Sequence, residues 1–121
     1  MKEFKEIFKA YGADYDTTME RFMGNEAMYL KFLNMLFKDD NLDKLGASLD
    51  KDDLTGAFEA AHTLKGVIAN MGLTPLLNAF CAIVAPLRAR QKLDNYSELY
   101  QAVKAEFQEA EKLRDRLEGV V

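Results

Sequence analysis

Apolar residues recur at steps of three and four along most of this chain, and no stretch keeps the alternating period of a β-strand for long. Leu54, Ala57, Ala61, Leu64, Ile68 and Met71 form one unbroken seam of this kind. Tyr96, Leu99, Val103, Phe107, Ala110, Leu113 and Leu117 form a second. Such spacing gathers each set on one face of a helix and leaves the intervening positions for solvent. The pattern restricts the chain to an all-α fold.

Start and stop signals divide the pattern into elements. Phe4, Ile7, Phe8 and Tyr11 predict a short amphipathic helix that Gly12 can end. Thr17 and Glu20 fit a capping box opening a second short helix, with Gly24 as its stop. Asn25 is placed as the N-cap of a long helix over 25–49, whose seam is Met28, Phe32, Met35, Leu42, Leu45 and Leu49. That seam has one polar interruption at Asp39, and Tyr29, Leu33, Leu36 and Phe37 imply cover on more than one side. Asp50 to Asp53 supply a turn and a cap for a helix over 52–71, and Gly72 sits where a terminating glycine would. Thr74 and Pro75 read as N-cap and first helical position of a helix over 75–91, with Pro86 expected to kink it or end it early. Asn95 and Glu98 open the last helix, over 95–118. Four long helices with short connections predict an antiparallel up-and-down four-helix bundle, with the two short N-terminal helices covering one end or side. The expectation is a single domain over 1–121, its bundle core near 25–118 and its covering helices within 1–24.

Composition narrows the function. The 16 Lys and Arg against 20 Asp and Glu give a net charge of −4. No basic stripe marks a nucleic-acid binder. The start of the chain lacks the apolar run of a signal peptide, and no segment approaches a membrane span, so a cytoplasmic, membrane-free protein is expected. The single cysteine, Cys81, excludes an internal disulfide and lies in the apolar run AFCAIVA, which predicts a buried, inert thiol. The methionines and the Phe/Tyr stripe are assigned to the core.

The only histidine, His62, lies in HTLKGVIANMG, inside the third long helix. At 100° per residue it falls about 130° from the centre of the seam and therefore faces outward. On its face lie Thr55, Phe58 and Glu59 on one side and Lys65, Gly66 and Ala69 on the other. A glycine within a helix costs about 1 kcal/mol relative to alanine, so its presence one turn from an outward histidine calls for a reason. Phosphoryl transfer supplies one. Imidazole in water is largely neutral at cellular pH, with one nitrogen free as a nucleophile. A phosphorylated ring gains roughly two negative charges, which Lys65 can offset, and the missing side chain at Gly66 clears an approach.

These residues resemble the histidine-containing phosphotransfer (HPt) domain family. HTLKGVIANMGL matches its pattern at His62, Leu64, Lys65, Gly66, Asn70 and Gly72, and RFMGNEAMYLKFLNMLF upstream is similar too. The resemblance covers roughly residues 16–118. It implies that His62 accepts and donates phosphoryl groups, exchanging them with the aspartate of response-regulator receiver domains or with a hybrid histidine kinase. It further implies that Lys65 stabilises the phosphate charge, that Gly66 gives steric clearance, and that the receiver rather than this chain supplies Mg²⁺. Thr55, Phe58, Glu59 and Ala69 are the candidate partner-binding residues. Phe58 is left open between packing under the N-terminal helices and forming the apolar part of the docking patch. A monomer without a cofactor or metal of its own is expected.

The chain departs from the family at two places. Val67 and Ile68 follow the glycine where small residues are usual. Val84 takes, by spacing, the position of the glutamine or glutamate that orients the histidine in many members. These departures keep alive an HPt-like module that binds receiver domains without carrying phosphate. An autophosphorylating kinase lacks a glycine-rich phosphate loop here, and a metalloenzyme lacks a ligand cluster. A scaffold bundle unrelated to signalling predicts no receiver binding at all.

Overall fold

A computed structural model describes residues 3–121; Met1 and Lys2, the start of the expected covering segment, lie outside the described residues. Among the described residues there are seven helices and no strand: α1 (Glu3–Tyr11), α2 (Tyr15–Glu20), α3 (Glu26–Lys38), α4 (Asn41–Asp50), α5 (Leu54–Asn70), α6 (Thr74–Arg88) and α7 (Tyr96–Glu118). The all-α helical bundle read from the periodicity is what the chain adopts.

Contacts between elements define the bundle. Arg114 of α7 donates to Asn34 of α3, Phe37 meets Phe107 edge-on, and the Tyr100 hydroxyl donates to the Leu42 carbonyl of α4. Rising positions along α3 and α4 thus meet falling positions along α7. Gly46 allows this closeness, since a Cβ there would collide with the Tyr100 ring. α5 packs between α4 and α6, and α6 packs on α7. Arg90, just beyond α6, donates to the Thr55 hydroxyl at the start of α5, so α6 runs back along its predecessor. α1 lies against α7 and α2. Its Phe4 and Phe8 join Tyr15, Phe22 and Tyr29 in edge-to-face contacts that extend the core.

Several expectations are corrected. The helix over 25–49 is two helices, broken at Asp39–Asp40. The Asp39 carboxylate accepts from the Asn41 amide (2.7 Å) and side chain (2.8 Å) while its own backbone is extended. This local turn competes with helix continuation and wins. α2 is capped by Asp14 rather than Thr17; the Asp14 carboxylate accepts from both the amide and the hydroxyl of Thr17. α6 starts at Thr74 itself, with Leu73 as N-cap, and passes through Pro86 to end at Arg88.

Burial also differs. α3 turns Tyr29, Leu30, Leu33 and Leu36 inward, while Phe32 and Met35 are 43% and 57% exposed. Met23 is exposed as well. Cys81 is exposed, not buried. α6 buries Leu76, Phe80, Ile83, Val84 and Leu87, and Cys81 falls with Ala82 and Ala85 on its outer face. No helix among the described residues is long and apolar enough to cross a membrane.

Candidate functional site

α5 carries the candidate site, and its own sequence explains why. Asp53 caps it by accepting from the Gly56 amide at 2.9 Å. Ala57, Ala60, Ala61, Leu64 and Ile68 are buried and fix the helix rotation. That rotation leaves Thr55, Glu59, His62, Gly66, Val67 and Ala69 exposed and Phe58 and Lys65 half-buried. At the far end Gly72 is left-handed (φ 71°), and the Thr18 side chain occupies the space its Cβ would need. Arg21 donates to the carbonyls of Ala69 and Asn70, offsetting the negative end of the helix.

His62 is thus an exposed imidazole in the middle of a rigid helix. Gly66, one turn on, faces open space: a Cβ built there meets nothing within 4 Å. Among the described residues no hydrogen bond reaches the imidazole, and Lys65, Arg88 and Arg90 form no ion pair with a carboxylate. Val84, only 1% exposed, belongs to the core and offers the ring no polar atom.

Phe58 does not pack under the N-terminal helices. Its ring stacks on His62, with centroids 5.2 Å apart and planes 18° from parallel. The guanidinium carbons of Arg90 and Arg88 lie 4.7 and 5.3 Å from its centroid. Thr55 joins the same group through Arg90 (3.2 Å). Glu59 and Ala69 lie on the exposed face with no hydrogen bond from their side chains among the described residues.

Beyond Gly66 the surface opens into an apolar groove of about 480 Å³ between α3 and α5. Phe22, Phe32, Met35 and Leu36 line one wall, Gly66 and Val67 the other. Sequence reasoning missed this groove because it gave Phe32 and Met35 to the core. The signal was present: Tyr29, Leu33 and Leu36 offered α3 a second, sufficient inner face. Arg88 and Arg90 were missed too, and no spacing in the sequence announces them, because only the end of α6 brings them over α5.

Among the described residues no group of three or more His, Cys, Asp or Glu side chains could hold a metal ion. The arrangement can present a ring nitrogen of His62 to a partner surface, with Lys65 on the same helix and two guanidinium groups over the neighbouring Phe58 ring.

The sequence model of one family, described as the Hpt domain, matches residues 31–118. No curated protein and no solved structure matches the chain. The match spans most of the chain, from the middle of α3 to the end of α7, and includes every residue of the HTLKG motif. The chain belongs to the Hpt domain family, whose role is histidine phosphotransfer in phosphorelays.

Proposed function

We propose that His62 is the phosphoryl carrier, exchanging its phosphate with the aspartates of response-regulator receiver domains. The observation that carries this reading is the exposed imidazole beside the open space at Gly66, on one face of a helix whose rotation is fixed by its buried side. A ring nitrogen attacks the phosphorus of the receiver's aspartyl phosphate. The N–P bond forms as the P–O bond breaks, and the aspartate leaves as a carboxylate. Donation to a second receiver is the reverse of this step. Lys65 offsets the charge that the ring acquires, which is most of what a protein contributes to such a transfer. The receiver brings Mg²⁺, and this chain needs no cofactor. The protein acts as a cytoplasmic monomer, and a hybrid histidine kinase is a second partner of the same chemistry.

The receiver docks over His62 and into the neighbouring groove. Gly66 and Val67 belong to both, so a partner close enough to reach the imidazole also covers Phe32 and Met35. Exposed apolar groups of this size in one concave patch are the usual centre of a protein interface. Thr55, Glu59 and Ala69 lie on the margin of that footprint.

Phosphate uptake from a phosphorylated receiver with Mg²⁺, followed by intact mass for wild type and His62→Gln, tests the reading. Because His62 is the only histidine, an acid-labile gain that the variant loses supports it. Receiver binding without uptake would favour a docking module that carries no phosphate.

A further inference from the structure

The imidazole of His62 has no hydrogen-bond partner among the described residues, and the residue facing it by spacing on the next helix, Val84, is a buried hydrocarbon. Yet the ring is not free, because it lies flat against Phe58. The centroid distance of 5.2 Å falls within the range of stable aromatic pairs. Phe58 is held in turn. Arg90 takes a left-handed backbone (φ 54°) just past α6 and is tied down by donation to the carbonyls of Leu87 (2.8 Å) and Arg88 (3.2 Å). Its Nε donates to the Thr55 hydroxyl, and its guanidinium rests over the Phe58 ring at 4.7 Å. The end of α6 is thereby stitched to the first turns of α5, with Phe58 between the stitch and the nucleophile.

We propose that Phe58, clamped by Arg90, is the positioning residue of the transfer reaction: it fixes the plane of the His62 ring and so sets the rate of phosphoryl transfer rather than the affinity for the receiver. The proposal rests on His62 being the carrier. A ring restricted to one plane spends more of its time in a reactive orientation, and a stacked pair biases that population by about 2- to 10-fold.

The experiment measures transfer from a phosphorylated receiver, over a range of receiver concentrations, for wild type, Phe58→Leu, Phe58→Tyr and Arg90→Gln. The proton NMR signals of the single imidazole are recorded beside it. Phe58→Leu is expected to lower the saturating rate constant about 2- to 10-fold with the half-saturating receiver concentration unchanged, and to shift the imidazole protons downfield as the ring current is lost. Phe58→Tyr restores both, and Arg90→Gln lowers the rate about twofold. A raised half-saturating concentration at an unchanged saturating rate would make Phe58 a docking residue and overturn the proposal, as would imidazole signals that ignore Phe58→Leu. If Phe58→Leu fails to fold, Arg90→Gln decides, since it keeps the ring: slower transfer with displaced imidazole signals supports the clamp, and an unchanged rate or unmoved signals overturn it. Wild-type protein that takes no phosphate while its imidazole signals do respond to Phe58→Leu would instead refute the carrier reading, and the positioning role with it.

Discussion

On the side of His62 toward Gly66, α5 faces α3 across an open groove walled by Phe32, Met35 and Val67. On the side toward Phe58 it faces the end of α6 and two guanidinium groups. The first side has shape and unburied carbon, and among the described residues Asp39 alone brings a charge to its lining. The second has positive charge, hydrogen bonds and a stacked ring. Burial of apolar surface contributes affinity in proportion to area and depends little on salt. A held ring adds little area, and on the proposed reading it acts on the orientation of the nucleophile. On the proposed reading, one helix therefore carries the docking groove on one side of the histidine, where Lys65 also stands, and the support of the ring on the other.

The division can be broken most forcefully at the groove. Phe32→Asp combined with Met35→Asp is expected to weaken receiver binding about 100-fold, read by titration calorimetry. Phosphate uptake from phosphoramidate, a donor too small to need the groove, should stay within about twofold of wild type. An equal loss with both donors would show that the two sides are not separable.

A second variant loosens the groove wall without touching its surface. The buried Tyr29 hydroxyl donates to the Met71 carbonyl at 2.7 Å, hanging α3 on the end of α5. Burial pushes its pKa well above the ordinary tyrosine value. Tyr29→Phe leaves that carbonyl unpaired and should cost about 1–3 kcal/mol in chemical denaturation. Imidazole signals unchanged by this variant would localise the damage to the groove side.

Gly66→Ala tests the boundary between the two sides. With nothing within 4 Å of the new Cβ, the protein should gain about 1 kcal/mol from helix propensity. Transfer from a receiver should slow, because the partner loses the close approach. A variant that is more stable and equally fast would remove the functional reason for the glycine.

The smallest effect is a control remote from both sides. Asp14 is held below the ordinary carboxylate pKa by its hydrogen bonds from the amide and hydroxyl of Thr17. A lowered folded-state pKa means that its contribution is present above the unfolded value and fades as pH falls through the carboxylate range. Asp14→Ala should therefore lower the melting temperature slightly at neutral pH, with the difference vanishing in acid, and leave transfer unaltered.

How much of this was legible in the sequence differs between elements. The α5 seam fixed both the helix and the outward direction of His62, because small and branched residues at steps of three and four leave only one inner face. In α3 apolar residues occupy nearly every direction, so periodicity could not say whether Met28, Phe32 and Met35 or Tyr29, Leu33 and Leu36 turned inward. The break at Asp39–Asp40 depends on one carboxylate choosing a turn over the helix, a local competition that a seam does not register. The Phe58–Arg90 contact joins residues 32 positions apart and exists only because α6 continues past Pro86 to Arg88. Cys81 was misassigned because a run of apolar letters on a helix is not one face.

The two walls of the groove have separate origins in the chain. Gly66 and Val67 stand on α5 within the family match, whereas Phe22 comes from a stretch that precedes it. On the proposed reading, substitutions at Phe22, or at the outward positions Phe32 and Met35, would alter the surface a receiver meets while leaving His62 and its supports as they are. If receivers dock as proposed, a lineage duplicating such a protein would need drift at the outer wall alone to insulate one signalling pair from another, with α5 inherited intact.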